Sequence, residues 1–267
     1  MIKKILVYSS ILVLFTFIFN SLKFEENENS TNDQIEKINF ESNDKLITNI
    51  ATWSSSNDSL YNEIIKVEES SYLQSKKFKE KIIPPSWTYL YKKITKHDNN
   101  KLGYIFTMLD SINTKNKLSR YDFADVIVTF VQDIPYNLLV QGSCKNAVKN
   151  EAVKKMIDNG IVCDEYVYAG IYTPTEFMAN YKGDCDSRTI FLYTILSKYG
   201  FDVVILNSDL YSHSIIGVNL PASGNYKLHK GKKYFTWETT NKGWKLGNLP
   251  PSYIDLKYWN VVLSKNI

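Results

Sequence analysis

Apolar positions along this chain fall into runs whose period changes from place to place, and the period predicts the element. Residues 5–22 carry no charge and are rich in Ile, Leu, Val and Phe. At about 1.5 Å per residue such a run nearly spans a hydrocarbon layer of about 30 Å, and Lys3 and Lys4 before it favour a cytoplasmic N-terminus. The expected organisation starts with a membrane segment, residues 1–23, that leaves the remainder outside the membrane. A cleaved signal peptide is the rival reading, although no A-x-A-like pair closes the run. Residues 24–45, largely Asn, Glu, Ser and Lys, lack the apolar surface that would offset ordering and read as a flexible tether.

Two apolar stretches within residues 46–73 flank Ser54-Ser55-Ser56-Asn57-Asp58 and predict a β-hairpin, which opens a segment of hairpin and helical lead-in over 46–118. A helix is predicted over 104–112, where Ile105, Met108, Leu109 and Ile112 share a face. Another follows Ser119, which with Asp122 resembles a capping box. Phe123, Val126, Ile127, Phe130, Val131 and Ile134 then recur at helical spacing until Pro135. Val148, Ala152 and Met156 make a further stripe before Gly160. Thr173-Pro174-Thr175-Glu176 reads as the capped start of a short helix, and Asp184 as the cap of a mostly apolar helix over 185–199 that Gly200 stops. Three β-rich stretches close the pattern at 201–207, 213–220 and 233–240. Gly224-Asn225 and Lys230-Gly231 mark 221–232 as a long hairpin loop.

A chain of 267 residues supports one sizeable core plus a tail. The net charge of +4 comes almost wholly from lysine, with arginine only at Arg120 and Arg188. Nucleic-acid and phosphate sites draw on arginine's planar fork, so no nucleic-acid partner is expected. The runs Lys76-Lys77-Phe78-Lys79 and Lys230-Gly231-Lys232-Lys233 read as solvated surface. Of the three cysteines, either Cys144 pairs with Cys163 and leaves Cys185 free, or all three are reduced. None sits in a C-x-x-C pair, so no structural zinc is expected, nor any other metal or cofactor.

The chemistry concentrates around Cys185. A thiol attacks as the thiolate, and Cys185 falls in the first turn of its predicted helix, where unpaired N–H groups and the dipole favour negative charge. Asp184 and Asp186 oppose this unless their carboxylates turn away, for instance onto the helix N–H groups. His213 opens a strand after the polar loop Asn207-Ser208-Asp209. Glu238 lies in the aromatic stretch Tyr234-Phe235-Thr236-Trp237-Glu238, where a carboxylate is costly without a partner. An acid behind a histidine fixes the imidazole tautomer and stabilises its charged form. The backbone N–H of Cys185 is a natural oxyanion donor, and Gln132 is a candidate for the second by residue type.

A glycine-x-cysteine at the start of a buried helix, a histidine opening a strand, and Trp237 followed by an acid together resemble the transglutaminase-like superfamily of papain-fold proteins, over residues 119–250. Phe130-Val131-Gln132-Asp133-Ile134-Pro135-Tyr136 is similar to the segment leading into the core of bacterial members. Gly183-Asp184-Cys185-Asp186 matches their nucleophile motif. The resemblance implies Cys185 as nucleophile, His213 as base and Glu238 in the place usually held by aspartate. It implies an α+β, papain-like core over 119–267, with helices packed on an antiparallel sheet. The implied activity is extracytoplasmic, periplasmic or at the cell surface: a membrane-anchored enzyme that opens amide or peptide bonds of a protein or peptide through a thioester, with hydrolysis ahead of amine transfer. Glutamate for aspartate and the long loop at 221–232 depart from the pattern. The alternative is an inactive binding or structural domain of the cell envelope.

Overall fold

Alternation in β1 (Leu46–Ser54) and β2 (Leu60–Glu68) turns Ala51, Trp53, Tyr61, Ile65 and Val67 inward and leaves the directly paired Ile50 and Ile64 exposed. The computed structural model describes residues 44–265, so the expected membrane segment and nearly all of the tether lie outside the described residues. Among the described residues, no helix is long and apolar enough to cross a membrane. The hairpin runs directly into α1 (Glu69–Glu80), and α2 (Trp87–Asp98) follows, capped by the Ser86 hydroxyl accepting from the Tyr89 N–H. Neither helix was expected. Next come α3 (Gly103–Asn116) and α4 (Arg120–Asp133), the latter capped by Ser119 accepting from the Asp122 N–H.

Beyond Pro135 the chain makes an excursion. The strand β3 (Asn137–Leu139) ends up parallel to β4 (Val162–Asp164), and α5 (Cys144–Ala147) and α6 (Glu151–Asp158) lie between them. The single stripe expected from Val148 to Met156 is broken because the Asn150 side chain accepts from the Ala152 and Val153 N–H groups and starts a new helix. A disulfide joins Cys144 to Cys163 across a separation of 19 residues and leaves Cys185 free. Closing a loop of that length stabilises the fold by about 3 kcal/mol through the entropy removed from the unfolded chain.

The remaining elements carry the site. Thr173 and Glu176 form a reciprocal capping box at the start of α7 (Pro174–Asn180), and α8 (Cys185–Lys198) begins at the Asp184 cap. A five-stranded antiparallel sheet follows from β5 (Val203–Ser208), β6 (His213–Val218), β7 (Tyr226–His229), β8 (Lys232–Trp237) and β9 (Asn260–Ser264), in the order β7-β8-β6-β5-β9. The stretch expected to be a loop at 221–232 therefore contains an edge strand. Because that insertion folds outward, β6 and β8 remain direct neighbours.

The architecture is α+β, with helices on one face of the sheet. Val203, Ile205, Ile216, Val218, Phe235 and Trp237 join a core built with α4, α7, α8 and the hairpin. Val204, Leu206, Ile215 and Tyr234 pack on the opposite face against Leu249 and Trp259. Strand β5 is covered on both faces, which is why its apolar run shows no alternation.

Residues 44–265 belong to one compact unit, and the expected boundary at 118/119 passes through its core. The Trp53 indole N–H donates to the Val126 carbonyl at 3.2 Å. Lys79, expected on the surface, is buried, with Nζ 2.9 Å from Glu176 and donating to the Ile171 carbonyl at 2.6 Å. Burial pushes its pKa down, and Glu176 works against that.

Candidate active site

Three separate devices position Cys185, His213 and Glu238, the residues singled out in the sequence. The first acts on the backbone before α8. Gly183 bridges to Tyr136, its carbonyl accepting from the Asn137 N–H at 3.2 Å. A Cβ at Gly183 would stand 2.7 Å from Cδ2 of Phe177, a fully buried ring, so the position requires glycine for close approach. Asp184 then turns into the helix, where one carboxylate oxygen accepts from the Ser187 N–H at 2.9 Å and the Ser187 hydroxyl at 2.6 Å. Cys185 is left at the first helical position, where its N–H has no intrahelical acceptor.

The second device is the register of the sheet. Pairing Ile216 with Trp237 brings the residue after β8 alongside the start of β6. The His213 Nε2 and Glu238 Oε2 lie 2.8 Å apart, with Glu238 only 1% exposed. The other carboxylate oxygen accepts from the N–H groups of Thr239 and Thr240, both at 2.8 Å, and from the Thr240 hydroxyl at 2.7 Å. Burial alone would push this carboxyl up. The His213 hydrogen bond and charge, with the Thr240 donors, outweigh it and hold the group at about 2. Nδ1 of His213 has no hydrogen-bond partner among the described residues. Tyr253 and Trp259 wall the imidazole, with ring centroids 5.0 and 6.0 Å away.

Arg188 is the third device and was not anticipated. It is fully buried in α8, and among the described residues no carboxylate bonds to it. Its guanidinium instead donates to four backbone carbonyls, those of Val131 and Ile134 at the end of α4, Gly183, and Thr239. One side chain thus ties the nucleophile's turn to the acid's strand. Burial pulls the guanidinium down to about 10, while Tyr136, Asp184 and Cys185 favour its charge. Its signal in the sequence was a lone arginine within an otherwise apolar helix.

The thiol sits beside β6 and is 7% exposed. Burial is the largest influence and pushes it well above the ordinary range. Asp186 and Asp184 push the same way, and the Ser214 N–H opposes them. Burial and the two aspartates thus disfavour a preformed thiolate. Asp186 turns aside onto the Tyr91 hydroxyl at 2.6 Å, which also accepts from the Asn207 amide at 3.1 Å. Gln132 is buried but does not serve as an oxyanion donor, because its amide N–H groups donate to the carbonyls of Glu238 at 2.7 Å and Trp244 at 2.9 Å. It braces the acid from behind. Among the described residues no cluster of His, Cys, Asp and Glu could hold a metal.

The low pKa of Glu238 fixes a direction for stability. Its ordinary value is 4.5, so its contribution is complete above that pH and is lost as pH falls toward about 2. Glu238→Gln is expected to cost about 3 kcal/mol at pH 7, with the gap to wild type closing between pH 4.5 and about 2. Urea unfolding of both proteins at pH 7 and pH 3 measures it, and a gap independent of pH would contradict the assignment.

Comparison of the chain with protein-family models, with curated proteins and with solved structures gives no match in any of the three.

Proposed function

We propose that this chain is a transglutaminase-like cysteine enzyme with a papain-like core, acting on the amide or peptide bonds of a protein or peptide. The observation that carries the reading is the buried, fully hydrogen-bonded Glu238 holding His213 by Nε2, which leaves Nδ1 open on the strand whose next N–H points at the Cys185 sulfur. His213 Nδ1 takes the thiol proton as sulfur attacks the carbonyl, since burial and the neighbouring aspartates disfavour a preformed thiolate. Glu238 stabilises the imidazolium that results. The developing oxyanion meets the Cys185 N–H. For the second donor, in place of Gln132, we put forward the Tyr136 hydroxyl, whose own ionisation is opposed first by burial and then by charge on Cys185. Collapse expels the amine with the proton from His213, and water, activated by the same imidazole, hydrolyses the thioester. The disulfide fits an oxidising compartment, and with the apolar run at 5–22 it supports an anchored, extracytoplasmic enzyme.

One observation favours a second reading, a silent binding domain: the thiol is nearly covered and pushed up rather than down. The two readings part on alkylation of Cys185 by iodoacetamide as a function of pH. The enzyme reading expects His213→Ala to raise the apparent pKa and to slow reaction at pH 7 by about 10-fold or more. Sluggish reaction with the same profile in both folded proteins would sink it.

A further inference from the structure

Trp87 stands at the first position of α2, 49% exposed, preceded by Pro84-Pro85 and the Ser86 cap. Two cavities share Ser86 and Trp87 in their walls. One, of about 460 Å³, is bounded by Pro84, Leu90, Tyr168 and Ala169 and has no charged residue in its wall. The other, of about 520 Å³, ends at His213 and includes Tyr91, Asp186 and Asp209, with no lysine or arginine. The two cavities adjoin at Ser86 and Trp87, and the second has the proposed base, His213, in its wall. His213 is 9% exposed there, with its Nε2 held by Glu238.

We infer that the two cavities act as one cleft that binds substrate as an extended peptide across Trp87, with a lysine or arginine side chain in the cavity beside His213 and an apolar one in the other. The inference rests on the amide-directed chemistry proposed for Cys185. A cationic group in the cavity beside His213 can lie over the face of the indole, within the ~6 Å at which ring and cation attract. The exposed Asp209 carboxylate supplies a counter-charge at the rim. Asp186 lies deeper and is engaged by Tyr91, so it contributes field rather than contact. A glutamate or aspartate in the same place would meet the Asp209 and Asp186 carboxylates with no lysine or arginine in the wall to offset them. The other cavity has only neutral walls, which suits an apolar side chain and penalises a charged one.

The test separates binding from chemistry. Fluorescently labelled peptides that differ only by lysine, glutamine or glutamate at one position are titrated by anisotropy onto the full chain bearing Cys185→Ala, and the same peptides are given to wild type for cleavage. A partly exposed ion pair and a cation over an aromatic ring are each modest, so lysine is expected to bind about 10-fold more tightly than glutamate. Asp209→Asn is expected to remove about half of that preference on a logarithmic scale without changing the melting temperature. The preference should also shrink as salt rises from about 0.05 to 0.5 M. Equal affinity for all three peptides, tighter binding of glutamate, or no binding of any peptide overturns the cleft assignment. Charge-selective binding with no cleavage by wild type leaves the cleft standing and defeats the enzyme reading instead.

Discussion

Alanine at Cys185 is expected to abolish amide cleavage by the full chain, by a factor on the order of 10⁵ or more, because the group that forms the acyl bond is gone and not merely misplaced. The loss should not be a folding defect. The sulfur occupies little volume at the mouth of a helix and accepts one N–H, so truncation should cost about 1 kcal/mol. His213→Ala should cost nearly as much, because nucleophile and base act as a unit and the rate that survives comes from oxyanion stabilisation and binding. The diagnostic is a single-turnover reaction followed by mass spectrometry. Wild type should carry a transient adduct equal to the acyl half of the peptide, and Cys185→Ala none. Retained cleavage in Cys185→Ala would end the proposal whatever the fate of the other residues.

Arg188→Met should produce the largest loss of stability, about 4 kcal/mol or more, and a fall in melting temperature of about 10 °C or more. Methionine fills the volume but donates nothing, so the Ile134 and Thr239 carbonyls lose the donor they have in a dry interior, and those of Val131 and Gly183 are left with a single backbone N–H each. Arg188→Lys should recover only part, since an ammonium is a compact charge without the planar fork that reaches α4, Gly183 and Thr239 together. Calorimetry on the three proteins measures the series. A Met variant that melts within about 2 °C of wild type would show that the carbonyls find other donors.

What the sequence displayed and what it hid follow from where the polar atoms go. The nucleophile's helix was legible because Asp184, Gly200 and an apolar run mark its ends and its burial. The strand of His213 was legible for the same reason. Helix α1 was not, because the residues it buries are Ser71, Ser75 and Lys79, and a polar stripe facing inward has the period of a helix without its hydrophobic signal. The Ser75 hydroxyl meets Asp98 at 2.7 Å, and that carboxylate also accepts from the Thr175 N–H at 2.9 Å. Such pairings lie far apart in the chain. Strand β7 is short and at an edge, with Tyr226 and Leu228 exposed, so nothing in its pattern distinguishes it from a loop. In α2, Leu90, Tyr91 and Ile94 behind the Ser86 cap are the signal that would have found it. Gln132 shows the limit of inference by residue type, since the amide is in the right region but committed to carbonyls.

Lys79 belongs to the first half of the chain, and the buried carboxylate it neutralises, Glu176, caps the helix just before the nucleophile's turn. A gene fragment that began at residue 119 would encode that carboxylate without its cation, Asp125 without the Ser56 N–H and hydroxyl, and the Val126 carbonyl without the Trp53 indole. A cut at that seam leaves three buried polar groups without these partners, so the residues from 119 onward fold as this structure shows only together with the hairpin and the helix that carries Lys79.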